Sequence, residues 1–122
     1  MKINWIAIGA IFGFLGVAIG AFGAHSLKQY LTPETIETYK TGVQYHLIHA
    51  VVILAIGYFG NEKYSIAALL FSLGIILFSF SLYAYSLTGI SAIAIITPFG
   101  GISFLAGWLI VIISSLKKEK LP

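Results

Sequence analysis

Residues 64–116 read YSIAALLFSLGIILFSFSLYAYSLTGISAIAIITPFGGISFLAGWLIVIISSL, 53 consecutive positions without a charged side chain between Lys63 and Lys117. A helix crossing about 30 Å of hydrocarbon needs about 20 residues, so this run is too long for one span and long enough for two. Turn chemistry falls near its middle, at Thr88-Gly89, Thr97-Pro98 and Gly100-Gly101. Working outward, 21 uncharged residues separate Lys40 from Glu62 and 25 separate Lys2 from Lys28, one span each. The expectation is an all-α integral membrane four-helix bundle. Its spans lie near 4–24, 42–59, 65–87 and 98–116, with a short helical start at 33–41.

Composition excludes most other classes. The 122 residues are 59% hydrophobic and 9% charged, against about 25% charged residues in a soluble domain. With 15% aromatics the chain is also the opposite of a solvating, disordered composition. Its length accommodates one transmembrane domain over residues 1–122. Without Cys there are no disulfides, thiolate metal sites or thiol nucleophiles. A secretory signal would have an apolar core of about 7–15 residues, whereas this one runs from Ile3 to Ala24 and is expected to stay as a span.

Lysine placement orients the bundle. With four spans, both termini and the 60–63 turn share one side, which carries Lys2, Lys63, Lys117, Lys118 and Lys120. The other side carries Lys28 and Lys40, beside Glu34 and Glu37. Five against two places both termini in the cytoplasm; if the chain is bacterial, the membrane is the cell membrane. The net charge of +3, with no Arg, fits contact with the lipid bilayer and not with nucleic acid.

The helix faces carry small and polar residues in register. Gly9, Gly13, Gly16, Gly20 and Gly23 are spaced 4, 3, 4 and 3, which keeps them on one face as a seam for a close helix contact. The partner helix could belong to the same chain or to another membrane protein or copy. Gly100, Ser103 and Gly107 repeat the pattern in the last span, and Ser72, Ser79, Tyr83 and Ser86 line one face of the third. Thr32-Pro33-Glu34 reads as a helix start, with Thr as cap, Pro in the first turn and an acid at the positive end of the dipole. Thr97-Pro98 reads the same way. Trp5, Tyr30, Tyr64, Tyr83, Tyr85 and Trp108 fall near span ends and are expected to form an interfacial belt.

The candidate site is the histidines. Tyr45, His46, His49 and Thr38 share one helical arc about 100° wide. His46 and His49 are three residues apart, a spacing that can place two imidazoles on one metal. His25 ends the first span, so the three are expected to form one cluster, a neutral hydrogen-bonded network between helices. The alternatives are a metal or cofactor site, completed by Glu34 or Glu37, or proton handling. No His-Glu-x-x-His and no haem attachment motif is present, so no cofactor follows from the motifs.

Gly20-Ala-Phe-Gly-Ala-His25, Thr41-Gly-Val-Gln-Tyr-His-Leu-Ile-His-Ala50, Ser81-Leu-Tyr83, Leu87-Thr-Gly89, Ile96-Thr-Pro-Phe-Gly-Gly101 and Phe104-Leu-Ala-Gly-Trp108 resemble one group of proteins. That group is the domain of unknown function family 423, itself similar to transmembrane protein 256. The resemblance spans nearly the whole chain and implies a small four-span membrane protein, with no reaction, substrate or cofactor attached. One departure is Phe80, where such proteins usually carry Gly. The expected role is a non-enzymatic scaffold, accessory or membrane-stabilising subunit. A histidine-based metal, haem or quinone-binding accessory, and a small transporter or channel subunit, are the alternatives.

Overall fold

The computed structural model describes residues 2–117. Met1, and Lys118 and Lys120 that enter the lysine count, lie outside the described residues. Four helical segments long and apolar enough to cross a membrane are present: α1 (Trp5–Leu27), α2 (Pro33–Phe59), α3 (Glu62–Thr88) and α4 (Ser91–Leu116). No strand occurs among the described residues, and the four-helix bundle stands.

Each helix begins and ends for a local reason. The Asn4 side chain accepts from the Ala7 N–H at 3.0 Å and caps α1. Thr32 caps α2 as expected, its hydroxyl oxygen accepting from the Thr35 N–H at 3.1 Å, with Pro33 in the first turn. The 33–41 stretch then continues unbroken into the span. At 27 residues α2 is about 40 Å long, roughly 10 Å more than the hydrocarbon thickness, an excess that tilt or projection into the headgroups takes up. Gly60 and Gly89 close α2 and α3 at φ of 74° and 69°, a left-handed conformation natural only to glycine.

The local structure departs from expectation in the 88–97 turn and inside two of the spans. The 88–97 turn holds a short helical segment, Ser91–Ala94, just before the long one, Thr97–Leu116. Thr97 therefore does not cap; its hydroxyl lies 2.7 Å from Ser81 Oγ and ties α4 to α3. Pro98 still sits in the first turn, where its missing N–H costs nothing. α1 and α3 also contain five-residue π-helical turns, Gly23–Leu27 and Ile75–Ser79, which widen the helix locally.

The glycine face of α1 is a seam against α2 of the same chain. A Cβ on Gly9 would lie 2.6 Å from the Leu54 backbone nitrogen, and one on Gly16 would lie 2.6 Å from Leu47 Cδ2. Gly20 faces Val43, and a Cβ on Gly23 would overlap the Tyr39 ring. Gly13 departs from the pattern, with nothing within 4 Å of its Cβ position. α2 answers with Gly57, whose Cβ would sit 2.6 Å from the Ile6 nitrogen. In the second hairpin Gly100 meets the backbone of Leu77 and Phe78, and Gly107 meets the Phe71 ring.

The core divides into two apolar clusters. One contains Trp5, Ile53, Phe71, Ile75 and Phe104; the other contains Leu27, Tyr39 and Tyr83. Trp5 and Tyr83 are therefore interior residues, which corrects the interfacial belt at those two positions. Tyr30, by contrast, is 75% exposed. Phe80 packs against both clusters, filling space that a glycine would leave open.

Gly9→Ala is expected to destabilise the bundle by about 1–3 kcal/mol, because a backbone must move to admit the methyl. Gly13→Ala should be neutral or stabilising by up to about 1 kcal/mol through helix propensity. Thermal unfolding of both variants in one detergent checks this; equal shifts would mean that Leu54 does not lie against Gly9.

Candidate functional site: a histidine junction on the second helix

His46 and His49 are both buried, at 0% and 3% exposure, in the apolar stretch of α2. An imidazole there has two ring nitrogens to satisfy and no water to do it. His46 Nε2 lies 2.8 Å from the Phe12 carbonyl of α1, and His46 Nδ1 lies 2.8 Å from the Tyr83 hydroxyl of α3. A carbonyl only accepts, so Nε2 carries the proton and Nδ1 accepts from Tyr83. His49 takes the opposite tautomer. Its Nδ1 donates to the Tyr45 carbonyl at 2.7 Å, and its Nε2 accepts the Trp108 indole N–H of α4 at 3.0 Å. Two residues one turn apart thus link α2 to each of the other three helices.

Aromatic rings enclose both imidazoles. His49 stacks on Phe104 with centroids 3.8 Å apart and planes 13° apart, and Phe71 lies 5.3 Å away. His46 meets Phe12 and Phe80 edge-on, at 6.0 and 5.6 Å. Trp108, expected at the interface, is 40% exposed and spends its N–H on His49. Tyr45 is 41% exposed, its ring against Phe78 and its carbonyl serving His49.

The approach of His46 to a helical carbonyl depends on glycine. Gly16 lies four residues beyond Phe12, and a Cβ there would stand 3.3 Å from His46 Cδ2. The device repeats seven residues along: the Tyr39 hydroxyl donates to the Ile19 carbonyl at 2.6 Å, with Gly23 four residues beyond it. Both donors come from α2, and both acceptors come from the glycine face of α1.

The other expected members do not join. His25 is exposed in the Gly23–Leu27 turn, where Leu27 is the buried residue. The reason is axial level. Because α2 starts at Pro33, His46 sits about 20 Å up that helix, opposite Gly16, and His25 is nine residues past Gly16, about 13 Å along α1. Glu34 and Glu37 occupy the first turns of α2, with Glu37 pairing Lys40 at 3.6 Å on the surface. Among the described residues no three His, Cys, Asp or Glu side chains stand together as a metal site. The expected three-histidine cluster is thereby replaced by a His46/His49 junction with Tyr83 and Trp108 as donors.

The hydroxyls on α3 divide. Ser72 bonds back to the Ala68 carbonyl, while Ser79 Oγ and Ser86 Oγ are buried without a hydrogen-bond partner among the described residues. In α4, Ser103 donates to the Leu70 carbonyl at 2.7 Å and Ser114 to the Lys63 carbonyl at 3.3 Å.

The family described as "Protein of unknown function (DUF423)" matches residues 19–101, most of the chain. The chain belongs to the DUF423 family. It is 37% identical over 122 residues to "UPF0382 membrane protein YwdK" of Bacillus subtilis, covering 96% of this chain and 98% of that one. It is 36% identical over 115 residues to "UPF0382 inner membrane protein YgdD" of Escherichia coli, covering 91% and 88%. A "UPF0382 membrane protein" of Haemophilus influenzae aligns at 36% identity over 124 residues, 99% and 100% of the two chains. No solved structure matches this DUF423 chain. It is an integral membrane protein of a family of unknown function.

The junction is testable by a double-mutant cycle. His46→Leu and Tyr83→Phe should each destabilise by about 1–3 kcal/mol, since each leaves a buried partner unsatisfied. Together they should cost less than the sum, with a coupling of about 0.5–2 kcal/mol. His46→Leu and Trp108→Phe, which touch separate bonds, should add within about 0.5 kcal/mol. Denaturation in mixed micelles measures both cycles.

Proposed function

We propose that this DUF423 protein is a non-catalytic scaffold or accessory subunit of the membrane, with the histidine junction as its internal fastening. The observation that carries this is the complete use of both imidazoles. The N–H groups a quinone oxygen would need already donate to the Phe12 and Tyr45 carbonyls, and His46 Nδ1 and His49 Nε2, the two lone pairs a metal or haem would need, already accept from Tyr83 and Trp108. Binding a ligand at either nitrogen would strand a buried donor, at a cost of about 1–3 kcal/mol. An opposed carboxylate pair, as acid–base chemistry or ion coupling would require, does not enter the junction among the described residues.

The orientation belongs to the same proposal. The Lys2–Glu62 ion pair at 3.5 Å and the Ser114–Lys63 hydrogen bond gather the start of α1, the α2–α3 turn and the end of α4 at one end of the bundle. Lysines concentrate there, which supports a cytoplasmic location for both termini. The name of the E. coli relative includes the words inner membrane, which supports the cell membrane as the location.

Purification in mild detergent, followed by metal analysis, optical spectroscopy and mass spectrometry, is expected to give a protein without stoichiometric metal or chromophore and with a co-purifying membrane protein. A stoichiometric metal, haem or quinone that disappears in His46→Ala or His49→Ala would establish the accessory-ligand alternative instead. Solute flux in proteoliposomes, lost in the same variants, would establish the transporter.

For orientation, a cysteine at Gln29 should react with an impermeant thiol reagent in intact cells while one at Asn61 should not. The reverse pattern would invert the topology and leave the four spans standing.

A further inference from the structure

We propose that the groove between the last turns of α1 and the first turns of α2 binds the phosphate and upper acyl chain of an anionic phospholipid. The groove has a volume of about 240 Å³ and lies at the end of the bundle opposite the termini. α1 contributes Gly20, Gly23 and Ala24 as a small-residue wall, and Lys28 at its rim. α2 contributes Ile36 and Val43 as an apolar wall and Lys40 between them. The floor is the buried Tyr39 ring, whose hydroxyl is committed to the Ile19 carbonyl and so is not offered to a ligand.

Charge and depth select the occupant. Lys28 and Lys40 are the two cations of this end, one from each wall, and both line the groove. Glu34 and Glu37 are not among its lining residues. The Lys40–Glu37 pair has side chains 68% and 74% exposed, a geometry that water and salt screen heavily. Lys40 can therefore turn to a stronger anion without loss of a buried bond. Lys28 directly follows the apolar span of α1, and Lys40 is seven residues, about 10 Å, inside the start of α2. Glu34, Glu37 and Lys40 are the charged residues of α2 and 21 uncharged residues follow, which puts Lys40 at the edge of the hydrocarbon. A phosphodiester is the anion that two ammonium groups at the rim would attract, and Val43, deeper along α2 than Lys40, offers its upper methylenes an apolar surface beside Gly20.

The test uses the full chain in detergent, with lipid adducts counted by native mass spectrometry. The probes are phosphatidylglycerol, phosphatidylcholine of the same acyl chains, and inorganic phosphate. Phosphatidylglycerol should be retained preferentially, and Lys28→Gln with Lys40→Gln should reduce its retention by at least about tenfold. Ala24→Leu, which narrows the groove with both charges intact, should reduce it as well. Lys2→Gln, at the far end, should leave it unchanged. Equal retention of the two lipids, equal loss in Lys2→Gln, or no loss in the double variant would overturn the proposal. A thermal shift with inorganic phosphate as large as that with phosphatidylglycerol would overturn it too, by assigning the groove to a free anion. Because every substituted residue lies away from the histidine junction, failure here would leave the fastening role untouched.

Discussion

A neutral imidazole in a bilayer must place one donor and one acceptor, on opposite edges of one rigid ring, without help from water. In this chain two such rings sit one turn apart on α2, and the positions of the other three helices follow from satisfying them. His46 requires a carbonyl on one side and a hydroxyl on the other, which fixes α1 and α3 across its width. His49 takes its own helix as acceptor and requires a donor from α4, which Trp108 supplies. Each bond is worth only about 0.6 kcal/mol on average in membrane proteins, so their weight lies in selecting one packing among many of similar apolar area. Between two lipid-like surfaces, area alone distinguishes little.

Glycine makes these approaches possible at backbone distance. Gly9 against Leu54 and Gly57 against Ile6 bring α1 and α2 together at the terminal end, and Gly16 and Gly23 admit the His46 and Tyr39 rings to the carbonyls of Phe12 and Ile19. The cost of glycine in a helix, about 1 kcal/mol in a soluble context, is offset here by contacts no larger residue would allow. Gly13 shares the face and touches nothing, so periodicity alone overstates the seam.

The spans were legible because charge-free length is a direct measure of hydrocarbon thickness, and the Thr32-Pro33-Glu34 start was legible because capping is local chemistry. The polar arc on α2 was legible as well, since helical spacing puts His46 and His49 on one side. What the sequence concealed was level and direction. Measured from the span start at 42, His46 lies near the end of the bundle; measured from Pro33, where the helical start joins the span, it lies about 20 Å in, and His25, Glu34 and Glu37 do not join it. Trp5 and Tyr83 read as interfacial because their distance from the span ends is visible while the face they occupy depends on a partner helix. The π-helical turns left no signal in the hydropathy at all.

The division of roles between the two halves of the chain has its own consequence. After α1 and α2 pair, the Tyr39–Ile19 and His46–Phe12 bonds are complete within that hairpin, and two bare acceptors remain, His46 Nδ1 and His49 Nε2. The α3–α4 hairpin supplies the two matching donors, the Tyr83 hydroxyl and the Trp108 indole. At these positions a first half set against another first half presents lone pair to lone pair, whereas the second half brings a hydrogen to each. The two halves are thus complementary to each other at these positions, which favours a first half meeting a second half over two first halves packing together.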